Sequence, residues 1–100
     1  MEFEWDPTKE SRNLEKHGIS FVAAARVLES GATLRSASDH GDEQRWVAVG
    51  PHPETGRIIA VVYAMRDARY RIISARRARK HEETQYREWI EREATGRGCG

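Results

Sequence analysis

Apolar residues open the chain in alternation, turn to helical spacing, alternate again through the middle and end in a helical stripe. Phe3 and Trp5 alternate at the start. Asp6-Pro7 then sets an N-cap acid before a proline suited to the first helical turn. The predicted helix carries Glu10, Arg12, Asn13, Glu15 and Lys16 as a polar face, with Leu14 among its few apolar contacts. Gly18, after His17, supplies a left-handed stop. Ser20 offers a second N-cap, and Phe21, Ala24, Ala25 and Leu28 form the stripe of an amphipathic helix that Gly31 ends.

From Thr33 the period becomes two. Leu34 to Ser38 and Arg45 to Gly50 read as strands around a polar loop, Asp39-His40-Gly41-Asp42-Glu43. The turn formers of Pro51 to Gly56 lead into Arg57 to Met65, the most apolar run, which predicts a central strand covered on both sides. Arg66-Asp67-Ala68 forms a loop before a last strand, Tyr70 to Ser74. From about Ala75 to Ala94, Arg, Glu and Ala with a Tyr86, Trp89 and Ile90 stripe predict a closing helix, and residues 95–100 a frayed tail. The expected fold is α+β with two layers: two N-terminal helices, a four-stranded antiparallel sheet and a C-terminal helix, in one domain over residues 1–94.

Composition sets the scale without naming a chemistry. A chain of 100 residues, 38% apolar and 33% charged, supports one modest core under a charged surface. No apolar run approaches a membrane span, and the acidic start differs from a secretion signal, so a cytoplasmic protein without membrane contact is expected. Cys99 is the single cysteine, which excludes an internal disulfide and a cysteine-pair zinc site. His40, His52 and His81 are scattered, and the Asp39, Asp42 and Glu43 cluster is short. Neither a metal nor another cofactor is expected.

Charge does change the picture. The net charge is +1, yet residues 1–50 carry 6 Lys/Arg against 9 Asp/Glu, and residues 51–100 carry 11 against 7. Seven basic residues, Arg66, Arg69, Arg71, Arg76, Arg77, Arg79 and Lys80, fall between positions 66 and 80, opposed in sequence by Asp67 alone. That stretch suits a phosphate-bearing partner.

The segments Phe3-Glu4-Trp5-Asp6, Lys16-His17-Gly18-Ile19-Ser20-Phe21 and Arg71-Ile72-Ile73-Ser74-Ala75-Arg76, with Lys9, Asn13 and Val62 to Arg66 between them, resemble the BrnT toxin family from residue 3 to about Tyr86. Ala64-Met65-Arg66 departs from the polar or acidic residue that members often carry after the tyrosine. The resemblance implies a RelE-like fold and a metal-free endoribonuclease that inhibits translation. It also implies a BrnA-type antitoxin partner whose ribbon-helix-helix region binds DNA, so that DNA is met only through the antitoxin.

RNA cleavage without a metal needs a base for the 2′-hydroxyl, an acid for the leaving 5′-oxygen and cations around the phosphate. Arg66 and Arg76 end the two predicted strands, and Ser74 shares a face with Arg76. Strict alternation sets Arg71 on the other face, which makes it a less central phosphate contact. His40 and Glu43 are candidates for the acid and the base, and Tyr86 for a proton donor or a core residue. Arg45, Arg77, Arg79 and Lys80 join Arg71 as candidate RNA contacts, Arg45 having Glu43 as an alternative partner. His17 is read as interacting with the helix end, while Trp5, Phe21 and Trp46 are read as core. The rival reading is a noncatalytic RNA- or partner-binding module, a degenerate toxin or a corepressor, in which these arginines set affinity and its salt dependence alone; the bland reading is that they merely solvate an edge strand and a helix start.

Overall fold

The computed structural model describes residues 1–40 and 43–98, with side chains over 1–38 and 43–94. Its elements are β1 (Phe3–Glu4), α1 (Pro7–His17), α2 (Phe21–Ser30), β2 (Leu34–His40), β3 (Glu43–Pro51), β4 (Ile58–Arg66), β5 (Arg69–Arg77) and α3 (Lys80–Gly98). The α+β class stands, but the sheet is five-stranded and mixed, in the order β1-β5-β4-β3-β2. The added strand is the Phe3–Glu4 start, which pairs in parallel with Tyr70 and Arg71. Two residues cannot hold a strand alone. They are held by a pairing partner far along the chain that local periodicity does not reveal.

Both N-terminal helices begin and end where their caps require. The Asp6 carboxylate accepts from the Thr8 N–H, the Ser20 hydroxyl from the Ala23 N–H, and Gly18 and Gly31 close the helices at φ 70° and 73°. The faces of α1 differ from expectation. Leu14 is 50% exposed, whereas Asn13 is buried. Asn13 donates to the carbonyls of Ile19 and Ala75, both at 2.9 Å, and accepts from the Ala75 N–H at 3.0 Å. It occupies the outer edge of β5 beyond the reach of β1, giving Ala75 the hydrogen bonds a neighbouring strand would supply. Glu10 is also bound inward, taking the Trp5 indole N–H and the Phe21 N–H on its two oxygens at 3.3 and 3.2 Å.

Helices cover both faces of the sheet, so the two-layer expectation is corrected to three layers. Phe21, Val27 and Leu28 of α2 meet Ile59, Val61, Tyr63 and Ile72 on one face. Tyr86 and Trp89 of α3 meet Val49, Ala60, Leu34, Val47 and Ile58 on the other. Successive residues of β4 therefore go to opposite helices, as its continuous apolar run requires. The strands are also longer than expected: β2 and β3 extend across Asp39, His40 and Glu43 and shrink the polar loop. β5 runs to Arg77, so the closing helix begins at Lys80 rather than near Ala75. Pairing with β4 and the Asn13 bonds to Ala75 override the helical bias of the Arg/Ala-rich segment. At its far end α3 continues to Gly98, past the expected limit at Ala94. Cys99 lies outside the described residues.

The register of β5 decides the rest. Ala60 pairs with Arg76, Val61 with Ala75 and Val62 with Ser74, but Tyr63 pairs with Ile72, leaving Ile73 as one extra residue. This β-bulge reverses the alternation at its position. Arg69, Arg71, Ser74 and Arg76 consequently share the face that carries α3, which corrects the expectation that Arg71 and Arg76 face apart. The β4–β5 turn is made by Asp67 and Ala68 at φ 50° and 64°, a two-residue left-handed turn that sets Arg66 opposite Arg69.

Candidate active site

On the α3 face of the sheet the helix covers one end only. The uncovered end carries basic side chains from three strands: Arg45 of β3, Arg66 of β4, and Arg69, Arg71 and Arg76 of β5, with Ser74 between the last two. Each arginine already meets a carboxylate. Glu43, the first residue of β3, lies 3.8 Å from Arg45 and 3.9 Å from Arg66. Glu4 binds Arg71 and Glu2 binds Arg69, both at 3.0 Å. Among the described residues the buried Arg45 Nε has no hydrogen-bond partner.

Arg76 is held most firmly. Its two terminal nitrogens grip the two oxygens of Glu82 at 2.7 and 3.0 Å, a fork-on-fork pair with side chains 20% and 12% exposed. Glu82 also accepts the Arg79 N–H at 2.8 Å, the capping bond of a glutamate in the first turn of α3. The Arg76 hydrogen bonds, aided by the Arg79 N–H, hold the Glu82 carboxyl below the ordinary glutamate value against the opposing pull of burial. A depressed folded-state value contributes stability above the unfolded value, and that stability disappears as pH falls through the folded one. The difference in Tm between the wild type and Glu82→Gln should be full above about pH 5 and should shrink as the medium is acidified below about pH 4. Thermal melts across that range check it, and a pH-independent gap would refute it.

The other candidates are dispersed. His40 is paired across the β2–β3 hairpin with Glu43, so the expected loop pair becomes a cross-strand pair, and the His40 side chain lies outside the described residues. Tyr86 is 8% exposed in the α3 cluster, its ring centroid 6.0 Å from that of Trp89. Arg77 pairs with Ile59 and so occupies the face opposite Arg76. Arg79 and Lys80 are exposed at the start of α3.

The sequence reading missed three groups. Glu82 was signalled by its spacing of three from Arg79, the spacing of a capping glutamate. Glu4 was tied to a strand that had not been recognised. Arg35 donates to the Tyr63 and Tyr70 hydroxyls at 3.3 and 3.2 Å and to the Leu28 carbonyl at 3.0 Å, on the face opposite Arg76. Burial pushes the Tyr63 phenol up, partly offset by that guanidinium. Arg35 pins α2 to the sheet from beneath the site.

Among the described residues no helix is long and apolar enough to cross a membrane, and no group of three or more His, Cys, Asp or Glu is gathered for a metal. The uncovered face instead offers guanidinium forks flanked by carboxylates and a hydroxyl, a set suited to a phosphodiester. No curated protein matches the chain at a significant level. The family model for the BrnT ribonuclease toxin of type II toxin-antitoxin systems matches residues 5–82. The matched residues include Arg45, Arg66, Arg69, Arg71, Ser74, Arg76 and Glu82 of the site, and the chain belongs to the BrnT family of ribonuclease toxins, the toxin half of a type II toxin-antitoxin pair.

Proposed function

We propose that the chain is an endoribonuclease that cuts RNA without a metal ion on the uncovered arginine face, stops translation in the cytoplasm and is neutralised by a BrnA-type antitoxin with a ribbon-helix-helix DNA-binding region. The observation that carries the reading is the bulge in β5, because it sets Arg71, Ser74 and Arg76 on one surface with Arg45 and Arg66. Arg76 and Arg71 grip the scissile phosphate, Ser74 donates to a phosphate oxygen, and the unpartnered Arg45 Nε gains an acceptor.

Glu43 and His40 act as the base and acid. One takes the 2′-hydroxyl proton as that oxygen attacks phosphorus, and the other protonates the departing 5′-oxygen, leaving a 2′,3′-cyclic phosphate and a 5′-hydroxyl. Glu82 and Glu4 occupy the arginines until RNA displaces them. An acidic antitoxin segment would compete for the same forks, which is how one surface serves both substrate and inhibitor.

The purified toxin incubated with single-stranded RNA in excess EDTA tests the chemistry. Cleavage should persist at an undiminished rate and yield cyclic phosphate ends. Loss of cleavage in EDTA with recovery on adding magnesium would overturn the metal-free mechanism.

A further inference from the structure

β1 pairs with β5 only as far as Arg71, so among the described residues no strand lies beside the outer edge of β5 beyond that point. The bulge falls directly after this point. A groove of about 300 Å³ opens there between the edge of β5 and α1, lined by Lys9, Arg12, Asn13, Lys16, Ile73 and Ser74, with His17 at its end. Lys9, Arg12 and Lys16 recur at intervals of three and four and so form one exposed stripe on α1. Among the described residues none of the three meets a carboxylate within ion-pair distance, whereas all five arginines of the sheet face do. Glu10 is turned inward to Trp5 and Phe21, leaving Glu15 as the one acid on the open side of the helix.

His17 also lines a second cavity of about 400 Å³, beyond the C-terminal end of α1, whose other polar walls are His52, Thr55, Arg57 and Arg77. No acid lines it. The His52 Nδ1 accepts from the Glu54 and Thr55 N–H groups, which makes the other ring nitrogen a donor. Ser74 belongs to the arginine face and to the first groove, and His17 belongs to both grooves. Cationic and hydrogen-bond-donating surface is thus continuous from Arg76, over the notch in the β5 edge, along α1 and into the second cavity.

The geometry points to a path for the substrate strand: RNA held at the arginine face crosses the β5 edge at Ser74 and lays its backbone phosphates along Lys9, Arg12 and Lys16 toward the Arg57 cavity. This rests on the reading of the arginine face as an RNA site and extends it to substrate length. The exposed, unpaired cations give phosphate affinity without base selection. A single strand suits the path because it can bend over the edge of a sheet, as a duplex cannot.

The test compares full-length wild type with the triple variant Lys9→Gln, Arg12→Gln and Lys16→Gln, all exposed positions, after circular dichroism confirms equal folding. Fluorescence anisotropy measures binding of labelled single-stranded RNA of about 4 and about 16 nucleotides, 2′-O-methylated throughout so that no 2′-hydroxyl can attack, over a range of salt, and unmodified RNA is used for cleavage. Wild type should bind the longer RNA more tightly. The variant should lose about tenfold on the longer RNA alone and flatten its log Kd against log salt slope by about 2, as three single-strand phosphate contacts require. Arg57→Gln should weaken the longer RNA selectively and leave the shorter one unchanged. Equal affinity and slope for wild type and triple variant would overturn the path even if the toxin cleaves RNA. A wild type that binds by length but fails to cleave would sink the nuclease mechanism and leave the path standing, and one that binds no RNA would remove both.

Discussion

Arg76→Ala is expected to lower RNA cleavage by at least about 10²-fold, the scale of losing one charged donor to a transition-state oxyanion. The complication is that Arg76 also braces the start of α3 through Glu82, so loss of activity alone would be ambiguous. Glu82→Gln resolves it, because both variants break the same ion pair but remove opposite halves. If the pair matters only for holding α3, the two variants fall together. If the guanidinium holds phosphate, Arg76→Ala loses cleavage while Glu82→Gln keeps it, with modest loss of stability in each. Arg76→Lys retains the charge but not the fork and should fall between them. The measurements are initial cleavage rates beside Tm for all three. A noncatalytic module would show no cleavage in any chain, wild type included.

The largest loss of stability is expected at Asn13. Replacing it with alanine strips hydrogen bonds from the Ala75 N–H, the Ala75 carbonyl and the Ile19 carbonyl, all within the buried junction of α1 with β5. Unpaired buried backbone groups cost about 1–3 kcal/mol each, and partial access of water to the strand edge reduces the total to about 3 kcal/mol. For a domain of this length that corresponds to a fall in Tm of about 12–24 °C. Asn13→Asp should not rescue it, because a carboxylate accepts but cannot donate to the two carbonyls. Differential scanning calorimetry decides, and a shift of less than about 4 °C would show that the strand edge does not depend on this side chain.

The helices were legible because their signals are local. Asp6-Pro7, Gly18, Ser20 and Gly31 each act within one turn of the backbone, and each functions as read. What escaped depends on sequence-distant partners. Phe3–Glu4 becomes a strand through Tyr70 and Arg71, and Asn13 turns inward because Ala75 needs an edge partner. The bulge did leave a trace. Ile72 and Ile73 are adjacent apolar residues in a stretch otherwise alternating, and such doubling marks the point where period two fails. The basic character of residues 66–80 was visible at once, but which arginines face together was not, since parity beyond Ile73 follows from pairing with Val62 and Tyr63. The groove along α1 was hidden for the opposite reason: its basic residues are diluted in sequence by Glu10 and Glu15, and only the fold separates them.

The single extra residue at Ile73 also sets how the spacing of the arginines along the chain translates into a shared face. Arg71 and Arg76 stand five positions apart, an odd spacing that regular pleating would put on opposite sides of the sheet, so a strand that kept this spacing without the bulge would turn Arg69 and Arg71 against Tyr63 and the underside of α2, without any arginine having been replaced. Excising Ile73 would instead leave a spacing of four, which regular pleating keeps on one side. A comparison of related chains that scores only matched positions would rate the shortened strand as damaged, although its phosphate-gripping surface would remain on one face.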